Sequence, residues 1–216
     1  MAENPYEGLT STLEELAKLG LYNGVGDVYI AFQLTAGTAS EPPTYSKPLV
    51  ACEAVSIGLT PGYAEGSQSA SNRTVRKKKF LKTMDVKVEY PRMKAAVRAA
   101  ILNLKVDQNG GTALGDGLPP QIAVGLITTR DDGKQVMRWV YNCSASEGSI
   151  EGKTSEEGTI AYQIPTIEMA GVALAYQVGG EHLVMYEADT ADESCKWTEN
   201  TFFADVVGPW SEEISA

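Results

Sequence analysis

Histidine occurs once in this chain, at His182, and cysteine three times, at Cys52, Cys143 and Cys195, with no spacing that matches a metal or redox motif. A single histidine in a short strand-like stretch argues against His-dependent acid–base or triad chemistry and is expected to be structural. Three thiols leave at least one unpaired in any disulfide scheme, which suits a reducing compartment. Positive charge is scarce as well: 18 Lys and Arg against 28 Asp and Glu leave a formal charge of −10, the wrong sign for a general nucleic-acid binder. No apolar run approaches the roughly 20 residues of a membrane span, and residues 1–6 lack the regions of a signal peptide, so a soluble protein without a membrane partner is expected. The glycine-rich stretches GLTPG and NGGTALGDG lack the strand–loop–helix context of a phosphate loop. The paired acids Asp131, Asp132, Glu156 and Glu157 sit in loops. No catalytic residue, metal site or cofactor is therefore assigned, and the chain is not expected to be an enzyme.

What is present is the material of a folded β protein. Of 216 residues, 43% are hydrophobic and 21% charged, enough for a real core, while 21 Gly and 10 Pro predict many turns. Leu9, Leu13 and Leu16, with Ser11 and Glu14 as a capping box and Gly20 as a stop, predict a short helix at about 11–19. Val28, Ile30, Phe32 and Leu34 alternate with polar or smaller residues and predict a strand. A second alternating run, Leu49, Ala51, Val55 and Ile57, is interrupted on its apolar face by Glu53. Residues 58–72, continuing into the basic run to Lys79, lack periodicity and are expected to form a long inter-strand loop, an extended arm that becomes the strand Met84, Val86, Val88.

Pro91 suits a first helical position, and Met93, Val97, Ala100, Ile101 and Leu104 predict a helix over about 91–105. Lys94, Arg98 and Lys105 form its basic stripe, and Ala95, Ala96 and Ala99 a small face that permits close approach of another subunit. Further strands follow around Ile122–Leu126 and a return strand after an Asp131-Asp132-Gly133 turn, in which Met137, Trp139, Tyr141 and Cys143 are expected to share one face. Residues 145–158 read as an acidic loop. A tail with Trp197, Phe202, Phe203 and Trp210 is too aromatic to be free.

The charge is segregated along the chain. Residues 73–105 hold 11 bases and two acids, a local charge of +9, whereas 147–216 hold 14 acids against Lys153 and Lys196. Contact between like subunits explains this most economically; a solvated face and an anionic ligand are the competing readings.

The order of features resembles the major tail proteins, or tail tube proteins, of long-tailed bacteriophages. The resemblance rests on TMDVKVEYPRMKAAVRAAILNLKVDQNGG, on GLPPQIAVGLITTRDDGKQVMRWVYNCSASE and on KTSEEGTIAYQIPTIEMAGVAL, preceded by AVSIGLTPGYAEGSQSA, and covers about 45–176. It implies a mainly β chain: a β-sandwich of the tail-tube kind at 25–189 with one flanking helix, an N-terminal arm at 1–24 and a C-terminal arm at 190–216. It also implies a structural virion protein, made in the host bacterial cytoplasm, whose hexameric rings stack into the tail tube. Its partners would be itself, the tip, tape-measure and terminator proteins of the tail, and DNA in non-specific passage through the lumen during ejection. Candidate subunit or ring contacts are Arg73, Arg76, Lys77, Lys78, Lys79, Lys94, Ala95, Arg98 and Ala99; Glu53 and Glu168 are the candidates for an acidic lumen. The alternatives are a tube or terminator protein of a phage-derived injection particle or head–tail junction, and a monomeric β-sandwich binding module.

Overall fold

A computed structural model describes residues 20–70, 73–148 and 163–211, with side chains for all of these except 67–70 and 73–77. The helix expected at 11–19 and most of the acidic loop at 145–158 lie outside the described residues.

The chain is mainly β. Strands β1 (Tyr22–Val25), β2 (Asp27–Thr35), β3 (Thr44–Tyr45), β4 (Leu49–Glu53), β5 (Ser56–Ala70) and β6 (Arg73–Glu89) precede helix α1 (Ala95–Ile101). A small hairpin of β7 (Lys105–Val106) and β8 (Thr112–Ala113) leads to β9 (Gln121–Arg130), β10 (Gln135–Glu147) and β11 (Thr166–Val172). After these come β12 (Gln177–Val178), β13 (Glu181–His182), β14 (Met185–Asp189) and the short helix α2 (Glu199–Phe202).

Among the described residues ten strands make one antiparallel sheet in the order β3-β2-β9-β10-β11-β6-β5, with β1 also on β9, β4 on β2 and β14 on β10. The sheet curls until its ends meet. Strand β4 runs into β5 at a corner where the Val55 N–H donates to the Glu89 carbonyl at 2.7 Å, and Cys52 bridges to Met93. The enclosed core gathers Val28 and Ile30 from β2, Val86 and Val88 from β6, Ile122, Val124 and Leu126 from β9, and Met169 from β11, and Ile101 of α1 plugs it. Each such side chain contributes roughly 1.5–3 kcal/mol by leaving water.

The other face of β9 and β10 carries a second core, in which Trp139 and Tyr141 are covered by Phe202, Phe203 and Val207. Residues 190–211, set apart in the sequence reading as a C-terminal arm, thus pack on their own sheet. The Trp139 indole N–H donates to the Phe202 carbonyl at 3.1 Å, and the Tyr141 hydroxyl to the Val207 carbonyl at 2.6 Å. Strand β9 is consequently buried on both faces from Ile122 to Leu126, which explains its unbroken apolar run.

Four sequence expectations are corrected. Residues 58–70 and 73–79 are not a loop: Ser56–Ala70 and Arg73–Glu89 pair from Ser56 opposite Glu89 to Ala70 opposite Arg73. The run shows no hydrophobic alternation because none of its described side chains is fully buried, and Pro61 is tolerated because, among the described residues, β5 is the last strand of the sheet, whose outer edge needs no donor. The helix is shorter than 91–105. Before it, Tyr90 donates to the Pro165 carbonyl and Met93 bridges to Cys52, so the chain is still extended at Lys94; after it, Asn103 turns to φ +52° and ends it.

Cys143 does not share a face with Tyr141. Asn142 adopts φ +49° at a register shift between Val140 and Cys143, and the extra residue returns Cys143 to the inner core beside Val140. A second bulge, at Ala51, buries both Ala51 and Cys52 and leaves Glu53 exposed, so Glu53 does not interrupt an inward face.

Candidate assembly surface

The most prominent feature on the surface is the far end of the β5–β6 ribbon. Near the body, Thr83–Glu89 of β6 lie between β5 and β11, in register with Thr166–Val172. Beyond Gly62 and Thr83 the ribbon has, among the described residues, only its own two strands, running out to Ala70 and Arg73, with register shifts at Gly62/Tyr63 and Gln68/Ser69. A two-stranded ribbon is at best marginally stable in water by itself. This one also exposes Tyr63 (57%) and Phe80 (59%), large apolar groups that gain from cover.

Charge on the ribbon follows from its sequence. Residues 73–82 hold Arg73, Arg76, Lys77, Lys78, Lys79 and Lys82, against Glu65 on the partner strand. Lys79 lies opposite Glu65 and pairs with it at 2.8 Å, an exposed bridge of small energetic value. Lys78 and Lys82 are exposed, and the side chains of Arg73, Arg76 and Lys77 lie outside the described set.

The helix residues divide. Lys94 and Ala95 are exposed, as is Ala96. Arg98 is half-buried and bonds to Glu147 of the same chain, while Ala99 is buried in the subunit interior. The basic stripe and alanine face expected on this helix are thus partly consumed by intrachain packing.

The two acids proposed for a lumen lie on different strands. Glu53, at the end of β4, is held by Arg92 at 3.1 Å with both side chains largely exposed. Glu168 stands on β11 in register with Lys87 of β6 and Ser146 of β10. It belongs to a shallow groove of about 410 Å³ on the outer face of the sheet, lined also by Gly58, Thr60, Asp85, Lys87 and Ser146. Asp85 and Lys87 fall between Met84, Val86 and Val88 on the polar side of β6; that alternation is the signal the sequence offers, and which strands flank them is not legible from it.

A second concavity of about 460 Å³ lies between β14 and the C-terminal segment, walled by Tyr186, Trp197 and Pro209 and rimmed by Glu187, Asp189, Asp192 and Lys196. The Asp192 carboxylate accepts from the backbone N–H and hydroxyl of Ser194, which hold its pKa below the usual value. Arg130 reaches Asp189 at 2.6 Å and donates to the Tyr22 hydroxyl, tying β1 to β14.

His182 has both ring nitrogens engaged, Nδ1 with the Leu174 carbonyl at 2.7 Å and Nε2 with Gln177 at 3.0 Å. Among the described residues no three His, Cys, Asp or Glu side chains gather as metal ligands, and no helix is long and apolar enough to cross a membrane. Burial pushes the Cys52 thiol up to about 12 and Cys143 higher still, so neither is a reactive nucleophile. Comparison with protein-family models and with curated proteins finds no match to the chain.

Proposed function

We propose that this chain is a structural virion protein, a tail tube protein whose copies form hexameric rings that stack into the conduit for DNA passage into the host. The observation that carries the reading is the β5–β6 ribbon: a long, basic, two-stranded extension with exposed aromatic groups and a free sheet edge, attached to a curled antiparallel sheet. Such an extension is stable where a neighbour completes it, and a free edge of 15 residues is a hazard for a protein that works alone. A closed ring of identical copies answers both needs, because cyclic symmetry brings one surface of each copy to a different surface of the next.

On this reading the body is the β-sandwich of a tail tube domain, the outer groove at Asp85, Lys87 and Glu168 is a candidate for the lumen wall, and the tail tip, tape-measure and terminator proteins are the further partners. The overall charge of −10 then gives a ring a repulsive field for phosphate, so that passing DNA does not adhere. The location is the virion tail, after assembly in the bacterial cytoplasm.

Negative-stain electron microscopy of the purified, concentrated protein tests the reading. Hollow tubes or six-fold rings are expected. A protein that stays monomeric at high concentration and also fails to enter tubes when tail-tip complexes are supplied overturns it.

A further inference from the structure

Resting on the tube reading, the structure supplies a docking partner for the basic ribbon. The C-terminal layer, residues 176–211, holds seven acids (Glu181, Glu187, Asp189, Asp192, Glu193, Glu199 and Asp205) against Lys196. Glu187, Asp189 and Asp205 are already engaged within the chain, by Arg138 at 2.5 Å, Arg130 at 2.6 Å and Lys47 at 2.7 Å. Asp192 remains exposed in the lining of the 460 Å³ cleft, with Lys196 and Trp197, and Glu193 is exposed next to it in the chain. An aromatic wall with an acidic rim suits long cationic side chains, whose methylene stems lie along the ring while the charged head reaches the carboxylate. The ribbon carries that chemistry, with six bases on residues 73–82.

We infer that the β5–β6 ribbon of one copy docks at the cleft between β14 and the 192–211 segment of a second copy, with Lys78 and Lys82 directed to Asp192, Glu193 and Trp197. The contact is head-to-tail: the donor surface and the acceptor surface are different, so each copy offers one of each. A heterologous contact of this kind closes into a ring or continues as a stack, and the charge segregation along the sequence is what makes it self-complementary.

Two non-assembling variants test it by mixing. The first, Lys78→Glu with Lys82→Glu, keeps the cleft and spoils the ribbon. The second, Asp192→Asn with Glu193→Gln, keeps the ribbon and discharges the cleft without offering a cation to the acidic ribbon of the first, and asparagine preserves the acceptor for the Ser194 turn. Thermal melts check that both remain folded. Each variant alone is expected to stay monomeric in sedimentation, and an equimolar mixture to give a one-to-one heterodimer that stops there. Its affinity should fall about tenfold or more between low salt and roughly 0.5 M salt. A mixture that stays monomeric, or a cleft variant that still forms tubes, overturns the docking site while leaving the tube reading standing. A heterodimer from the variants, with a wild type that associates head-to-tail but builds neither six-fold rings nor hollow tubes even with tail-tip complexes present, upholds the docking site and removes the tube reading.

Discussion

Phe203 lies flat against Tyr29, with ring centroids 4.2 Å apart and planes 5° from parallel, in a space that exists because residue 125 has no side chain. A Cβ on Gly125 would stand 2.7 Å from Phe203 Cε1 and 2.9 Å from Tyr29 Cβ. The pair joins the C-terminal segment to the sheet, so the segment's order depends on a glycine nearly eighty residues earlier in the chain.

Gly125→Ala is therefore expected to displace Phe203 and cost about 1–3 kcal/mol in urea unfolding. Phe203→Ala should cost about 3–5 kcal/mol by leaving a cavity. The double variant should cost less than the sum, since the alanine methyl then enters space the ring has vacated. Strict additivity would show that the two sites are independent.

Asn142 holds the left-handed conformation that flips β10 from one core to the other. Asn142→Gly should be nearly neutral, and Asn142→Val should lose about 1–2 kcal/mol, because a β-branched residue resists positive φ. Equal stability of the two variants would dismiss the bulge as the cause.

The three cysteines are free, two buried and one half-buried. A thiol reagent should label Cys195 promptly in the native protein and reach Cys52 and Cys143 only on unfolding. The raised Cys52 pKa also has a sign: the native state favours the neutral thiol, so its contribution is complete below the ordinary value near 9.0 and declines as pH rises toward about 12. Comparing wild type with Cys52→Ala in urea between pH 8 and pH 11 reads this directly, and parallel pH profiles would refute it.

Replacing Arg76, Lys77, Lys78 and Lys79 by serine should leave a folded monomer that forms no tubes, seen as unchanged melting with loss of polymer in microscopy. Tubes indistinguishable from wild type would remove the run from the interface.

Glu53→Lys together with Glu168→Lys should leave tubes intact and slow DNA ejection, with reduced infectivity. Normal ejection from intact tubes would remove both acids from the lumen wall. Glu168→Lys alone adds a second cation beside Lys87 and should carry the larger share of the effect, because Glu53 already faces Arg92.

The sequence by itself determined the class of chain. Alternation in Val28–Phe32 and Met84–Val88, the turn at Asp131–Gly133 and the scarcity of helical periodicity all follow from side-chain spacing along a single strand, and a mainly β chain is what they specify. Charge segregation was legible too, because it needs only counting. Tertiary structure alone decided which strands are neighbours. Outward of Gly62 and Thr83 the β5–β6 ribbon is invisible to periodicity, because Tyr63, Glu65, Gly66, Lys78, Lys79, Phe80 and Lys82 are all exposed, so backbone pairing rather than hydrophobic alternation defines it. The faces of Cys143 and Glu53 depended on single-residue bulges, each of which inverts every assignment beyond it. Glu168, Asp85 and Lys87 became one groove, and Trp197 and Asp192 one cleft, only when strands distant in sequence were laid side by side. Local spacing carries no information about such distant contacts.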